Sequence, residues 1–155
     1  MPFIWTVRGG RDGEVKYLQL FKGGIFYPLT EELAAEMLAR TPHREVVPPE
    51  EVPEFSSAKE IIVHDVEGGG PQLVMHPSRG GGGITYAIRL YGGGESFAVS
   101  PHFAYGIKYT NRLELVEVGK KATKKELGKA MVYRLSPLEP SCVSSEKGRI
   151  CSYML

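Results

Sequence analysis

Residues 84–100 read ITYAIRLYGGGESFAVS. Ile84, Tyr86, Ile88 and Leu90 alternate with Thr85, Ala87, Arg89 and Tyr91, which is the two-residue period of a strand with one face toward a core. Gly92-Gly93-Gly94 supplies the backbone freedom of a turn, and SFAVS (96–100) returns as a second strand. On this reading Arg89 and Tyr91 face outward together.

The same pattern extends toward the N-terminus. FIWTVR (3–8), EVKYLQLF (14–21) and IFYPL (25–29) read as three strands joined by glycine-rich turns, with Pro28 confining the third to an edge. Thr30 is placed to cap a helix, Glu31 and Glu32 suit its positive end, and Leu33, Ala34, Met37 and Leu38 form an apolar stripe. An amphipathic helix is therefore expected over about 31–40, ended by Thr41-Pro42. Residues 42–60 carry four prolines among five Glu and read as an acidic linker. IIVHDV (61–66) and QLVMH (72–76) read as a hairpin around Gly68 to Gly70.

Toward the C-terminus, FAYGIKY (103–109) alternates as a strand with Phe103, Tyr105, Ile107 and Tyr109 on one side. RLELVEV (112–118) is another strand, whose apolar face changes phase between Leu115 and Val116, the mark of a bulge. Thr123 caps a short helix over about 123–129. MVYRLS (131–136) is the last strand, with Met131, Tyr133 and Leu135 inward. The expected fold class is α+β, antiparallel β-meander sheets with one amphipathic helix and a short second helix. At 155 residues the chain is expected to form a single domain. Its parts are a β-β-β-α segment (1–41), the acidic linker (42–60) and a β-rich segment (61–155). No internal repeat is legible in the residues.

The composition holds two Gln, one Asn and two Asp against sixteen Glu, a depletion of thermolabile amides that fits a hyperthermophile. Such a cytosol tolerates disulfides, and a hairpin turning at Glu146-Lys147 would place Cys142 opposite Cys151, in range for a bridge. The sequence has no apolar run near the ~20 residues of a membrane span and no signal-peptide layout at its start. A cytoplasmic location without membrane attachment is expected.

Charge is unevenly spread. Residues 30–70 hold ten acids and three bases, whereas Phe103 to Leu135 hold eight of the nineteen Lys and Arg with three acids. Aromatic residues interleave with these cations. Cations hold a phosphate backbone and aromatic faces stack unpaired bases. The expected partner is single-stranded nucleic acid. Lys108, Arg112, Lys120, Lys121, Lys124 and Lys125, with Arg79 and Arg89, would contact phosphates; Tyr91, Phe103, Tyr105 and Tyr109 would stack bases. Residues 113–137 are similar in rhythm to the wing of winged-helix DNA-binding domains, but that likeness lacks a recognition helix upstream and transfers no function. Homo-oligomerisation is expected from exposed strand edges and the bipolar charge.

Other chemistries fit less well. The glycine runs at 68–70, 80–83 and 92–94 continue into neither a P-loop nor a dinucleotide fingerprint. His64, Asp65, Glu67 and His76 form the one conceivable metal cluster, but strand alternation splits them between faces, so no metal or cofactor is expected. A metal-independent ribonuclease using His102, Tyr105, Lys108 and Tyr109 is the enzymatic alternative. A non-catalytic interaction protein is the third reading.

Overall fold

Strand patterning and glycine turns generate two five-stranded antiparallel sheets in the computed structural model. It describes residues 2–66, 68, 70–77, 83–118 and 130–138, and the backbone of 141–145 and 148–152. In the first sheet, β1 (Phe3–Gly10), β2 (Gly13–Gln19) and β3 (Phe26–Pro28) form a meander. Pro28 lies on the edge strand, where a missing N–H interrupts no ladder. Helix α1 (Glu31–Leu38) follows; the Thr30 hydroxyl accepts from Leu33 N at 3.2 Å, and Leu33, Ala34 and Met37 are buried. Strands β4 (Arg44–Val47) and β5 (Glu60–Asp65) complete the order β3-β2-β1-β5-β4.

Two expectations change here. The acidic stretch is more than a linker, because residues 44–47 form an edge strand and two 3-10 turns follow at Pro49–Glu51 and Pro53–Phe55. Phe55 from the second turn stacks on Tyr17 at 5.0 Å and meets Phe26 at 4.7 Å. Residues 61–66 do not form a hairpin with 72–76, because β5 pairs with β1 and β4 instead. Ile61, Ile62 and Val63 are all buried, and a strand buried on successive residues needs cover on both faces and neighbours on both sides. A place between β1 and β4 supplies those neighbours.

The second sheet repeats this plan. Strands β6 (Gln72–Pro77), β7 (Ile84–Arg89) and β8 (Ser96–Val99) lead into helix α2 (Pro101–Thr110), then β9 (Asn111–Val118) and β10 (Met131–Pro137), in the order β8-β7-β6-β10-β9. The correspondence reaches individual atoms. Leu20-Phe21-Lys22-Gly23-Gly24 and Leu90-Tyr91-Gly92-Gly93-Gly94 lie seventy residues apart in the chain. Both turns close by a glycine N–H donating to the first aromatic carbonyl, Gly24 to Phe21 at 2.9 Å and Gly94 to Tyr91 at 3.0 Å. Gly23 and Gly93 take φ of 78° and 79°, values that favour glycine. Thr30 caps α1 and Ser100 caps α2. The Pro2 carbonyl accepts from Val66 N, and the Pro71 carbonyl from Leu135 N, both at 3.0 Å. The chain is thus built from two β-β-β-α-β-β copies, residues 2–66 and 71–137. The sequence hid this because identical residues survive mainly at the turns and at Pro2 and Pro71, while equivalent core positions stay apolar but change residue, as at Leu18 and Ile88.

A single apolar core draws on both copies: Ile4, Leu18, Leu20, Tyr27, Leu33 and Met37 meet Leu73, Tyr86, Ile88, Leu90, Phe97, Ile107 and Leu135. The Tyr27 hydroxyl bonds Thr110 at 2.5 Å, and Arg40 pairs with Glu95, across the same junction. The inner face of β10 matches expectation at Leu135, but Val132 on its other face is also buried. The ladder between β9 and β10 shifts so that Glu117 faces Val132 and Leu115 faces Tyr133. That leaves Val116 as the extra residue of the expected bulge.

A terminal hairpin, β11 (Ser141–Ser145) with β12 (Gly148–Ser152), sets Cys142 opposite Cys151 in its backbone register, as the spacing predicts. The short helix expected near 123–129 lies outside the described residues. Among the described residues no helix is long and apolar enough to cross a membrane.

Ile88→Ala, at a fully buried position, should lower stability by about 2–5 kcal/mol. Because the core is shared, the fluorescence of Trp5 in the first copy should report the same shifted urea midpoint as far-UV circular dichroism; two separated transitions would contradict a common core. In the unreduced protein, alkylation followed by intact mass should find Cys142 and Cys151 unmodified, and two alkyl groups would reject the bridge.

Candidate functional site

The segment read as a strand at 103–109 is helix α2, and this change decides the site. Ser100 accepts from Phe103 N at 3.1 Å and Pro101 occupies the first turn, where its fixed φ suits a helix and its missing N–H costs nothing. Alternating aromatics suggest a strand only if this start signal is overlooked. With a 3.6-residue period the side chains regroup. Ala104 and Ile107 are buried, and Phe103 packs against the core with its ring 6.1 Å from Tyr27. Tyr105 and Tyr109, four apart, share an outer face and are 45% and 65% exposed.

Helix α2 lies across β7 and β9, which brings Tyr86 beneath it. The Tyr86 and Tyr105 rings meet edge to face at 5.9 Å, and Tyr105 and Tyr109 lie 6.4 Å apart. Lys108 Nζ sits 5.6 Å from the Tyr105 ring centre and 5.8 Å from that of Tyr86, within range of cation–π attraction. Burial, and then the adjacent Tyr105 hydroxyl, push the Tyr86 phenol above its ordinary value. The helix itself carries no acid. Ile84 is exposed on the Tyr86 side of the sheet, and Leu115 and Val118 are exposed on the same side at the far edge strand β9, which α2 also reaches. The site therefore combines aromatic faces, one ammonium held between rings, and an apolar rim.

The first copy shows what the scaffold alone requires. Where the second has Tyr105, Lys108 and Tyr109, the first has Ala35, Leu38 and Ala39. Where the second has Ile84 and Tyr86, the first has Glu14 and Lys16, tied with Arg8 and Glu60 into ion pairs of 2.8–3.3 Å. The aromatic–cation cluster is thus an addition to one copy and no necessity of the fold.

The remaining expected contacts disperse. Arg89 projects from the opposite face of the sheet and donates to Ser96 Oγ at 3.0 Å. Arg112 is exposed on that same outer face, which also carries Arg134, paired with Glu114 at 2.5 Å. Tyr91 is 41% exposed but its ring is wedged against Gly68 and Gly94. Phe103 belongs to the core rather than to a stacking surface. Arg79, Lys120, Lys121, Lys124 and Lys125 lie outside the described residues. Tyr86, Ile84, Leu115 and Val118 were missed because they join the site only once α2 is a helix.

His64 and His76, on separate sheets, share no metal site, and no metal-ligating group of three or more is present among the described residues. Of the enzymatic alternative, Tyr105, Lys108 and Tyr109 come together, with Lys108 Nζ 5.6 Å from the Tyr105 ring and the two tyrosine rings 6.4 Å apart, while His102 lies in the first turn of the same helix. His64 Nδ1 is enclosed and finds no hydrogen-bond partner among the described residues. Desolvation, and then Arg44 on the neighbouring strand, pull the imidazole below its ordinary value against a smaller opposing pull from Asp65. Comparison of the chain with known protein families, curated proteins and solved structures finds no match.

The His64 shift gives a signed pH effect. Unfolded His64 binds a proton near pH ~6.5 and the folded residue only at lower pH, so stability is complete above that value and falls as pH drops through it. The urea midpoint should be lower at pH 5.5 than at pH 7.5. His64→Gln should narrow that gap, and an unchanged gap would assign it to other groups.

Proposed function

We propose that this protein binds single-stranded nucleic acid on the exposed face of α2. The observation that carries the reading is Lys108 placed between the Tyr86 and Tyr105 rings, flanked by the exposed Tyr105 and Tyr109. Aromatic faces serve unstacked bases of any sequence, and an ammonium beside them serves the backbone phosphate. The sequence between Val118 and Ala130 contributes five lysines and one acid, an excess of positive charge that suits a polyanionic partner. Absence of acids on α2 removes the repulsion a polyanion would meet there. Depletion of Gln, Asn and Asp supports a thermophile cytoplasm as its setting.

A second reading rests on the apolar rim. Leu115, Val116 and Val118 are 42–51% exposed on β9, an edge strand. An edge with exposed apolar side chains favours pairing with a second copy of the chain. The two readings are compatible, since a dimer through β9 would set two α2 surfaces beside one another.

Titration of labelled single-stranded DNA and RNA at several salt concentrations tests the first reading. Binding should weaken steeply with salt. Tyr105→Ala and Tyr109→Ala should each cost about 1–3 kcal/mol of affinity without altering the unfolding midpoint. Absence of binding at low salt would overturn it. Sedimentation of the wild type and Val118→Glu tests the second, which predicts a dimer that the substitution dissociates.

A further inference from the structure

Two clefts occupy equivalent places in the two copies, one open and one shut. The open cleft, about 620 Å³, lies between the β2–β3 turn, the C-terminus of α2 and the end of β10. The shut one, about 50 Å³, lies between the β7–β8 turn and the end of α1. Leu20, Phe21, Ile25, Tyr27, Thr110 and Asn111 in the first stand where Leu90, Tyr91, Glu95, Phe97, Arg40 and Thr41 stand in the second. Arg40 Nε reaches Glu95 Oε2 at 2.6 Å and closes the second mouth. Thr110 and Ile25 hold those two positions in the first, and they form no such bridge. The open volume falls in the range of small-molecule sites, roughly 300–1,000 Å³.

The hydrogen bonds at the cleft define what it lacks. Thr110 Oγ1 donates to the Gly106 carbonyl at 2.6 Å and therefore accepts from the Tyr27 hydroxyl at 2.5 Å. Asn111 Nδ2 donates to Tyr27 Oη and to the Ile107 carbonyl, both at 3.0 Å. Turning the amide over would set two oxygens against each other at Ile107, so its orientation is fixed. Every donor of this trio is committed to the protein, and among the described residues Asn111 Oδ1 is the acceptor that the network does not use. Phe21, Phe26 and Tyr27 add aromatic walls, and Glu54 adds a second acceptor at the lining.

We propose that the open cleft binds a planar heterocycle presenting an N–H donor, the chemistry of a nucleobase, through Asn111 Oδ1 and the Phe21, Phe26 and Tyr27 rings. Aromatic walls select a flat ring, and the fixed Asn111 acceptor, with Glu54 also at the lining, selects a ligand that donates. The base comes either from a free nucleoside or from one nucleotide of a strand. This inference stands apart from the α2 surface, since it uses none of Tyr105, Lys108 or Tyr109.

The test is a calorimetric and NMR titration of the full chain with adenosine, cytidine and guanosine, and separately with a short oligonucleotide. Saturable nucleoside binding with shifts at Gly24, Thr110 and Asn111 is expected. The double substitution Ile25→Glu/Thr110→Arg rebuilds the bridge of the shut cleft and should weaken binding by at least about tenfold, or ~1.4 kcal/mol. Ile25→Trp, at a half-exposed position of the mouth, should obstruct the cleft without touching the Thr110 bonds, so the idea stays testable if the double variant does not fold. Shifts at Gly24, Thr110 and Asn111 with the oligonucleotide alone, lost in Ile25→Trp while the α2 shifts persist, assign the base to a strand. Tyr109→Ala should leave nucleoside binding unchanged, which separates this site from the α2 surface. No shifts with any ligand, or binding indifferent to both mouth variants, would overturn the proposal.

Discussion

Each five-stranded sheet carries an inner face that its own copy covers only in part. Ile4 and Leu18 on one sheet, and Leu73 and Ile88 on the other, are wholly removed from water only because the two sheets and their helices meet. Burying a large aliphatic side chain is worth about 1.5–3 kcal/mol relative to exposure, so either sheet alone would forfeit several such contributions. The rest of the architecture follows from that mutual dependence. The helices must lie at the junction, the glycine turns must reverse the chain within three or four residues, and the prolines at positions 2 and 71 must be enclosed with their carbonyls paired.

Mutual burial constrains the core and leaves the periphery free, and the two copies have used that freedom differently. The first keeps charge at its outer helix-facing corner, with Arg8, Glu14, Lys16 and Glu60 neutralising one another. The second presents tyrosines and a lysine in the corresponding corner. The clefts diverge in the opposite sense, open beside the first hairpin and sealed beside the second. Comparing a scaffold with its own duplicate separates side chains the fold demands from those it merely permits. The second class holds the candidate chemistry.

Much of the fold was legible in the sequence where local and tertiary preferences agree. The strand 84–89, the Thr30 cap, the edge position of Pro28 and the Val116 bulge all carry their cause within a few residues. Failures occurred where a distant partner decides. Residues 61–66 look like half of a hairpin until β1 offers a full register from Phe3↔Asp65 to Arg8↔Glu60. FAYGIKY satisfies a strand period by eye, yet Ser100-Pro101 and the burial of Ala104 and Ile107 make it a helix. That one misreading scattered the site as well, since it placed Phe103 beside Tyr105 and left Tyr86 out. Arg89 and Arg112 were recognisable as outward cations, but sequence alone could not show that they leave from the other side of the sheet.

The short glycine-rich joint between Val66 and Gln72 turns what resembles a pair of subunits into one molecule. Were the copies separate chains, their association would depend on concentration, and each substitution would appear twice about a symmetry axis. Joined, the partners meet at a fixed effective concentration, so dilution does not part them. Each half is also released from self-complementarity. Arg40 can bridge to Glu95 on one side while Thr110 and Ile25 stay apart on the other, an asymmetry that a dimer of identical chains, obeying its own axis, cannot encode.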